Sequence, residues 1–140
     1  MFNPFKQKEI LQPDGIEIRQ SLIDDRGVFA TRIFKPGAVI ETAPVILLDR
    51  QERELLQTTF LFNYYFLLAN ETTPVALGLG YSSLYNHSYK ANAVYTISLN
   101  NRSLIVKANK MIHPGDEVTF NYNGKADDDT PVYFQPGITE

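Results

Sequence analysis

The apolar residues of this chain come in short, β-branched runs that turn-forming residues repeatedly interrupt, and this pattern points to a mainly β fold. "IEIRQSLI" (16–23), "VFATRIF" (28–34), "AVIETAPVILL" (38–48), "NAVYTISL" (92–99), "SLIVKANKMI" (103–112) and "DEVTFNY" (116–122) read as strands, the third as one strand or two. "VALGLG" (75–80) reads as a buried strand ending in glycines. Between them stand Asp24-Asp25-Arg26-Gly27, Lys35-Pro36-Gly37 and Pro114-Gly115, all turn chemistry. Asn100-Asn101-Arg102 predicts a hairpin turn, with an asparagine suited to positive φ. Asp49, with Glu52 three residues on, predicts a capped helix through about Gln57. Thr58, Thr59 and the aromatic run "FLFNYYFLLA" (60–69) favour strand over helix, and Asn70-Glu71-Thr72 reads as a turn. One internal echo stands out. "VFATRIFKPGAVI" (28–40) and "VKANKMIHPGDEV" (106–118) share Val, Ala, a basic residue, Pro-Gly and a final aliphatic. The sequence leaves open whether this is a repeated unit or two similar strand-turn-strand pieces.

Composition narrows the function classes. A chain of 140 residues fits one domain. No apolar run approaches the roughly 18 residues of a membrane span. The start, "MFNPFKQKEI", lacks the apolar core of a secretory signal, so a cytoplasmic setting is expected. Glycosylation acceptor patterns at Asn70, Asn86 and Asn101 then carry no meaning. Cysteine is absent, which removes disulfides, thiolate catalysis and cysteine zinc sites. A net charge of −3 argues against direct nucleic-acid binding and favours a cationic partner.

Most familiar chemistries are missing. There is no G-x-S-x-G nucleophile motif, and Gly78-Leu79-Gly80 is too short for a phosphate-cradling loop. His87 and His113 have no ligand-spaced carboxylate or histidine, so no metal site is expected, and His113 reads as a solvated turn residue. What remains is a set of four stretches: Asp25-Arg26-Gly27 before "VFA", "LGLGYSSLYNHS" (77–88), "PGDEVTFNY" (114–122) and the pair Tyr133-Phe134.

Their order and spacing resemble the SET domain, a family of protein-lysine methyltransferases, and in particular its small stand-alone members. The resemblance runs from about Ile16 to Tyr122. Asp25-Arg26-Gly27 with Val28-Phe29-Ala30 occupies the family's G-x-G turn and following strand. Asn86, His87, Ser88 and Asn92 match its R-F-x-N-H-S-C-x-P-N motif, where Ser83, Tyr89 and Ala91 depart from Arg, Cys and Pro. Gly115, Glu117 and Tyr122 match its G-E-E-L-x-x-D-Y motif. Asp25 stands in place of the first glycine. The resemblance implies a β-clip fold of small sheets with one or two short helices and a knot-like C-terminal crossing. It divides the chain into an N-terminal segment (1–15), a SET domain (16–122) and a tail (123–140) that lacks the zinc-binding cysteines of many relatives.

The same resemblance implies S-adenosyl-L-methionine as cofactor, S-adenosyl-L-homocysteine as product and a lysine-bearing, basic protein as substrate. It places the cofactor against Arg26, Gly27, Val28, Asn86, His87 and Tyr122. Tyr122 would supply the catalytic phenol, and Phe120 would be a catalytic-pocket residue whose lack of a hydroxyl leaves room for di- or trimethylation. Tyr85, Phe120, Tyr133 and Phe134 would line the substrate channel, which this tail or a second subunit in a homodimer would close. Two other readings stay open: a catalytically inactive SET-like binding module, and a β-rich interaction protein that shares only the architecture.

Overall fold

The computed structural model describes residues 13–132. Among them the strands are β1 (Ile16–Gln20), β2 (Arg26–Ala30), β3 (Val39–Leu48), β4 (Tyr65–Leu67), β5 (Val75–Gly78), β6 (Asn86–His87), β7 (Ala93–Ser98), β8 (Ser103–Ala108) and β9 (Glu117–Phe120). A helix, α1 (Arg50–Leu56), follows β3, and a 3-10 turn spans Phe60–Asn63. The strands form two sheets, ordered β1-β2-β9-β6 and β4-β5-β3-β8-β7. This is the mainly β architecture expected of the SET-domain fold. The core between them includes Val28, Phe34, Tyr85, Leu104, Ile112, Val118 and Phe120, each at most 1% exposed. Among the described residues no helix is long and apolar enough to cross a membrane.

Several elements end for identifiable reasons. The strand expected at 16–23 stops at Gln20, because Ser21 turns its hydroxyl to Glu117 and to the Ile23 N–H. β2 begins at Arg26, inside the expected turn, and stops at Ala30, where the Thr31 N–H closes the ladder on the Gly15 carbonyl. The stretch 38–48 is a single strand with a register shift between Val39 and Glu41. α1 carries the full capping box at Asp49 and Glu52. The aromatic run does not form the long strand that its propensity suggests. Its first part winds into the 3-10 turn and only Tyr65–Leu67 pairs, a case of tertiary context overriding propensity. At the 98–103 hairpin the positive φ falls on Arg102 (φ 47) rather than on either asparagine. β9 stops at Phe120, so Asn121 and Tyr122 lie beyond the strand expected to contain them.

The internal echo has a structural counterpart. Phe34 and Ile112, separated by the offset that relates the two similar segments, exchange both backbone hydrogen bonds at 2.9 Å. The Gly37 N–H donates to the Ala108 carbonyl at 2.7 Å, and the Gly115 N–H donates to the Ala30 carbonyl at 2.8 Å. The Ala108 N–H returns to Ala38 and the Ala30 N–H to Asp116, both at 2.9 Å. Each strand-turn-strand unit thus clips the turn of the other through reciprocal backbone bonds. The two turn glycines share a left-handed backbone, φ 86 at Gly37 and φ 90 at Gly115. This mutual clip places β9 in the first sheet, antiparallel to β2 on one side and parallel to β6 on the other.

Candidate functional site

β9 brings the C-terminal motif against the Asn-His-Ser segment. Asn86 pairs with Thr119 and His87 with Phe120 in the parallel ladder, and the Ser88 N–H donates to the Phe120 carbonyl. Just past the strand, the Tyr122 N–H donates to His87 Nδ1 at 3.0 Å, and the Tyr122 hydroxyl donates to the Tyr85 carbonyl at 2.5 Å. Because Nδ1 is an acceptor, the neutral ring carries its hydrogen on Nε2. That atom is buried with no hydrogen-bond partner among the described residues. The imidazole is wedged between Tyr89 (4.4 Å, edge-on) and Tyr122 (5.2 Å), and burial lowers its pKa.

Asn86 has a different task. Its amide donates to the Arg26 carbonyl at 2.9 Å, to Glu117 at 2.7 Å and to Ser21 at 3.2 Å, which ties β2, β6 and β9 into one polar knot. Glu117 also accepts from the Ser21 hydroxyl. Gly27 lies against this knot. A Cβ there would come within 2.1 Å of Glu117 and 2.9 Å of Asn86, so these side chains demand the small size of the glycine. The Val28 side chain is fully buried in the core. Asp25 does not need a glycine-like conformation, since Arg102 is the one non-glycine with positive φ among the described residues.

Two clefts adjoin at this point. One, of about 640 Å³, is bordered by Asp24, Asp25 and Arg26 on one side and by Phe60, Leu84, Asn86 and His87 on others. The second, of about 390 Å³, is walled by Phe62, Tyr65, Phe66, Tyr95 and Phe120, with Pro131 and Val132 from the tail. Asn63, Tyr64, Ser83, Tyr85 and Tyr122 line both. Tyr122 and Tyr85 therefore stand at the junction. The Tyr122 phenol is pushed far above its ordinary range, chiefly by burial and then by Asp24, Tyr64 and Glu117, so it stays protonated. Phe120 packs on Tyr95 (4.8 Å), Tyr85 (5.1 Å) and Tyr122 (5.9 Å).

Of the residues read from the sequence, Arg26, Asn86, His87, Tyr85, Tyr122 and Phe120 converge on these clefts. Tyr133 and Phe134 lie outside the described residues. His113 is exposed, with Asp116 3.8 Å away. Sequence reading missed the 3-10 turn and the start of β4, which supply Phe60, Phe62, Tyr64 and Tyr65. Their signal was aromatic density, which a strand and a pocket wall share. The tail segment at 128–130 is held by side-chain donors. Asn121 donates to the Asp128 carbonyl, Asn123 to those of Asp128 and Thr130, and Tyr89 also to that of Thr130.

Comparison with known proteins agrees with this geometry. The SET domain family matches residues 25–123. A curated Schizosaccharomyces pombe protein, the histone-lysine N-methyltransferase specific for H3 lysine-37, is 29% identical over 108 residues, covering 76% of this chain and 72% of the relative. A solved Plasmodium falciparum structure, provisionally described as a histone methyltransferase, superposes with a TM-score of 0.64 at 32% identity, covering 77% of this chain and 92% of that one. A chain of ctPRC2, solved in complex with H3K27me3 and H3K27M, shares the fold at a TM-score of 0.59 and 21% identity, over 76% of this chain and 14% of its own. With the family's match spanning both motif segments and the β9 crossing between them, this chain belongs to the SET domain family.

Proposed function

We propose that this chain is an S-adenosylmethionine-dependent protein-lysine N-methyltransferase. The observation that carries the reading is the position of Tyr122 and Tyr85 on the wall between two adjoining clefts, one edged with charges of both signs and one aromatic. The larger cleft, at about 640 Å³, suits a nucleoside-sized ligand, since small-molecule sites typically span about 300–1,000 Å³. Arg26 offers a cation and Asp24 and Asp25 offer anions, which fits the carboxylate and ammonium of an amino-acid tail. Phe60 and Leu84 give apolar surface for a base, and the unpartnered Nε2–H of His87 is a donor in want of an acceptor. When bound, S-adenosylmethionine supplies a methyl group on a positively charged sulfur and leaves as S-adenosylhomocysteine.

The chain's own residues then prepare the acceptor. A lysine amine must arrive neutral, although its free pKa is about 10.4. The aromatic walls of the smaller cleft disfavour the charged form by desolvation. Tyr122 cannot act as a general base, because its phenol holds its proton and donates it to the Tyr85 carbonyl. Its place at the junction of the two clefts suits it to orient the amine, and positioning alone can contribute about 7–11 kcal/mol. Phe120 leaves that pocket without a second hydroxyl at its site, which favours more than one methyl on the product. The substrate class is a lysine in a basic protein segment, in keeping with the net charge of −3 and with relatives named for histone lysines.

The test is incorporation of labelled methyl from S-adenosylmethionine into mixed histones and a cell lysate, read by mass spectrometry, with wild type beside Tyr122→Phe. Transfer to lysine by wild type alone supports the reading. Cofactor binding by calorimetry without any transfer would favour the inactive module.

A further inference from the structure

Glu41 is a buried carboxylate that the chemistry above does not use. The register shift in β3 breaks the in-out alternation, so that Ile40 and Glu41 both face inward, each 4% exposed. One carboxylate oxygen accepts the Tyr81 N–H at 2.9 Å and the other accepts the Tyr85 hydroxyl at 2.7 Å. The turn before Tyr81 is fitted around this group. Gly80 has φ +62, and a Cβ there would come within 2.8 Å of the Glu41 carboxylate. Burial raises the Glu41 pKa, with the two hydrogen bonds opposing, and raises that of Tyr85 well above its ordinary value. The Tyr85 phenol therefore keeps its proton and donates it to the Glu41 carboxylate.

A buried carboxylate is a poor device for stability, because a hydrophobic residue of similar volume often serves as well. What this one does is fix geometry. It grips both ends of the 81–85 segment, seats the Tyr85 ring on Phe120 at 5.1 Å, and so sets the Tyr85 carbonyl that receives the Tyr122 hydroxyl. We infer that Glu41 is a positioning residue for methyl transfer, acting through Tyr85 on the orientation of the Tyr122 phenol. The inference rests on the methyltransferase reading.

Glu41→Leu, Glu41→Gln, Tyr85→Phe and the double variant Glu41→Leu/Tyr85→Phe test it. The readouts are kcat and KM on mixed histones, calorimetric Kd for S-adenosylhomocysteine, and thermal midpoint. Glu41→Leu is expected to lower kcat about ten-fold or more, since misplacement by an ångström can cost about a hundred-fold. The Kd should move less than kcat does, because the Arg26, Asn86 and His87 sides of the larger cleft are left in place. Tyr85→Phe should reproduce the loss, the double variant should be no worse than either single, and Glu41→Gln should recover part of the rate, since its amide oxygen can still accept the phenol. An unchanged kcat in a folded Glu41→Leu variant, or additive losses in the double, would overturn the inference. If Glu41→Leu does not fold, Tyr85→Phe removes only a hydroxyl and reads the same link, and an undiminished kcat there is equally decisive. An inactive wild type overturns the methyltransferase reading together with this one, whereas an active wild type with an indifferent Tyr85→Phe overturns this one alone.

Discussion

His87 Nδ1 accepts the backbone N–H of Tyr122 at 3.0 Å, joining the Asn-His-Ser segment to the chain beyond β9 by a bond that exists only while the imidazole is neutral. Protonation would put two donors face to face. Burial lowers the folded pKa of His87 below its usual 6.5. The contribution of this group to stability is therefore complete above pH 6.5 and is lost as pH falls through the lowered folded value. A thermal midpoint measured from pH 8 downward should fall below pH 6.5, and His87→Gln should remove that part of the slope.

Tyr122→Phe should leave the fold and cofactor affinity nearly intact while lowering kcat about 10²–10³-fold, the loss typical of deleting one preorganised polar group at a reacting centre. Single-turnover kinetics with S-adenosylmethionine, beside calorimetry with S-adenosylhomocysteine, separates the two effects.

Gly27→Ala should destabilise by about 1–3 kcal/mol, the usual range for an overpacked site. The added methyl would meet the Glu117 carboxylate and the Asn86 amide, whose own hydrogen bonds hold the Arg26 carbonyl. Urea unfolding gives the stability. Because Arg26 borders the larger cleft, a parallel loss of cofactor affinity is expected.

Gly37→Ala and Gly115→Ala should behave as a matched pair. Neither position has an atom within 4 Å of a built Cβ, so the penalty is conformational alone, about 1–2 kcal/mol for an L-residue in the left-handed region. Equal losses in chemical denaturation would reflect the equivalent places of the two turns in the clip; a large inequality would contradict it.

Phe120→Tyr should shift the product toward monomethyl-lysine, read by mass spectrometry of the modified peptide. Phe120 is 1% exposed among Tyr85, Tyr95 and Tyr122, so a hydroxyl added there must find its partner inside the smaller cleft and occupy part of it.

The legible parts of the sequence were those with a local cause. The Asp49–Glu52 capping box, the Pro-Gly turns and the order of the Asn-His-Ser and Glu-Val-Thr-Phe-Asn-Tyr stretches each act over a few residues, and each was readable. Glu41 was not, because an acid in "VIETAPV" reads as outward-facing until the register shift in β3 turns it inward. The 60–66 aromatics were not, because their winding depends on where β5 lies to receive Tyr65–Leu67. The steric demand for a glycine at 27 was not, because the neighbours that impose it, Asn86 and Glu117, come from distant segments. The reciprocal bonding of Phe34 with Ile112 showed only as a faint likeness between two strings.

The parallel pairing of β9 with β6 has a consequence for synthesis. β9 belongs to a late site-forming segment and seats itself between two strands made earlier. Such non-local pairing is slow to form, since distant segments must meet before any contact rewards them. On the ribosome, a nascent chain halted before Tyr122 would hold the Asn-His-Ser segment without the phenol that stands at the junction of the two clefts.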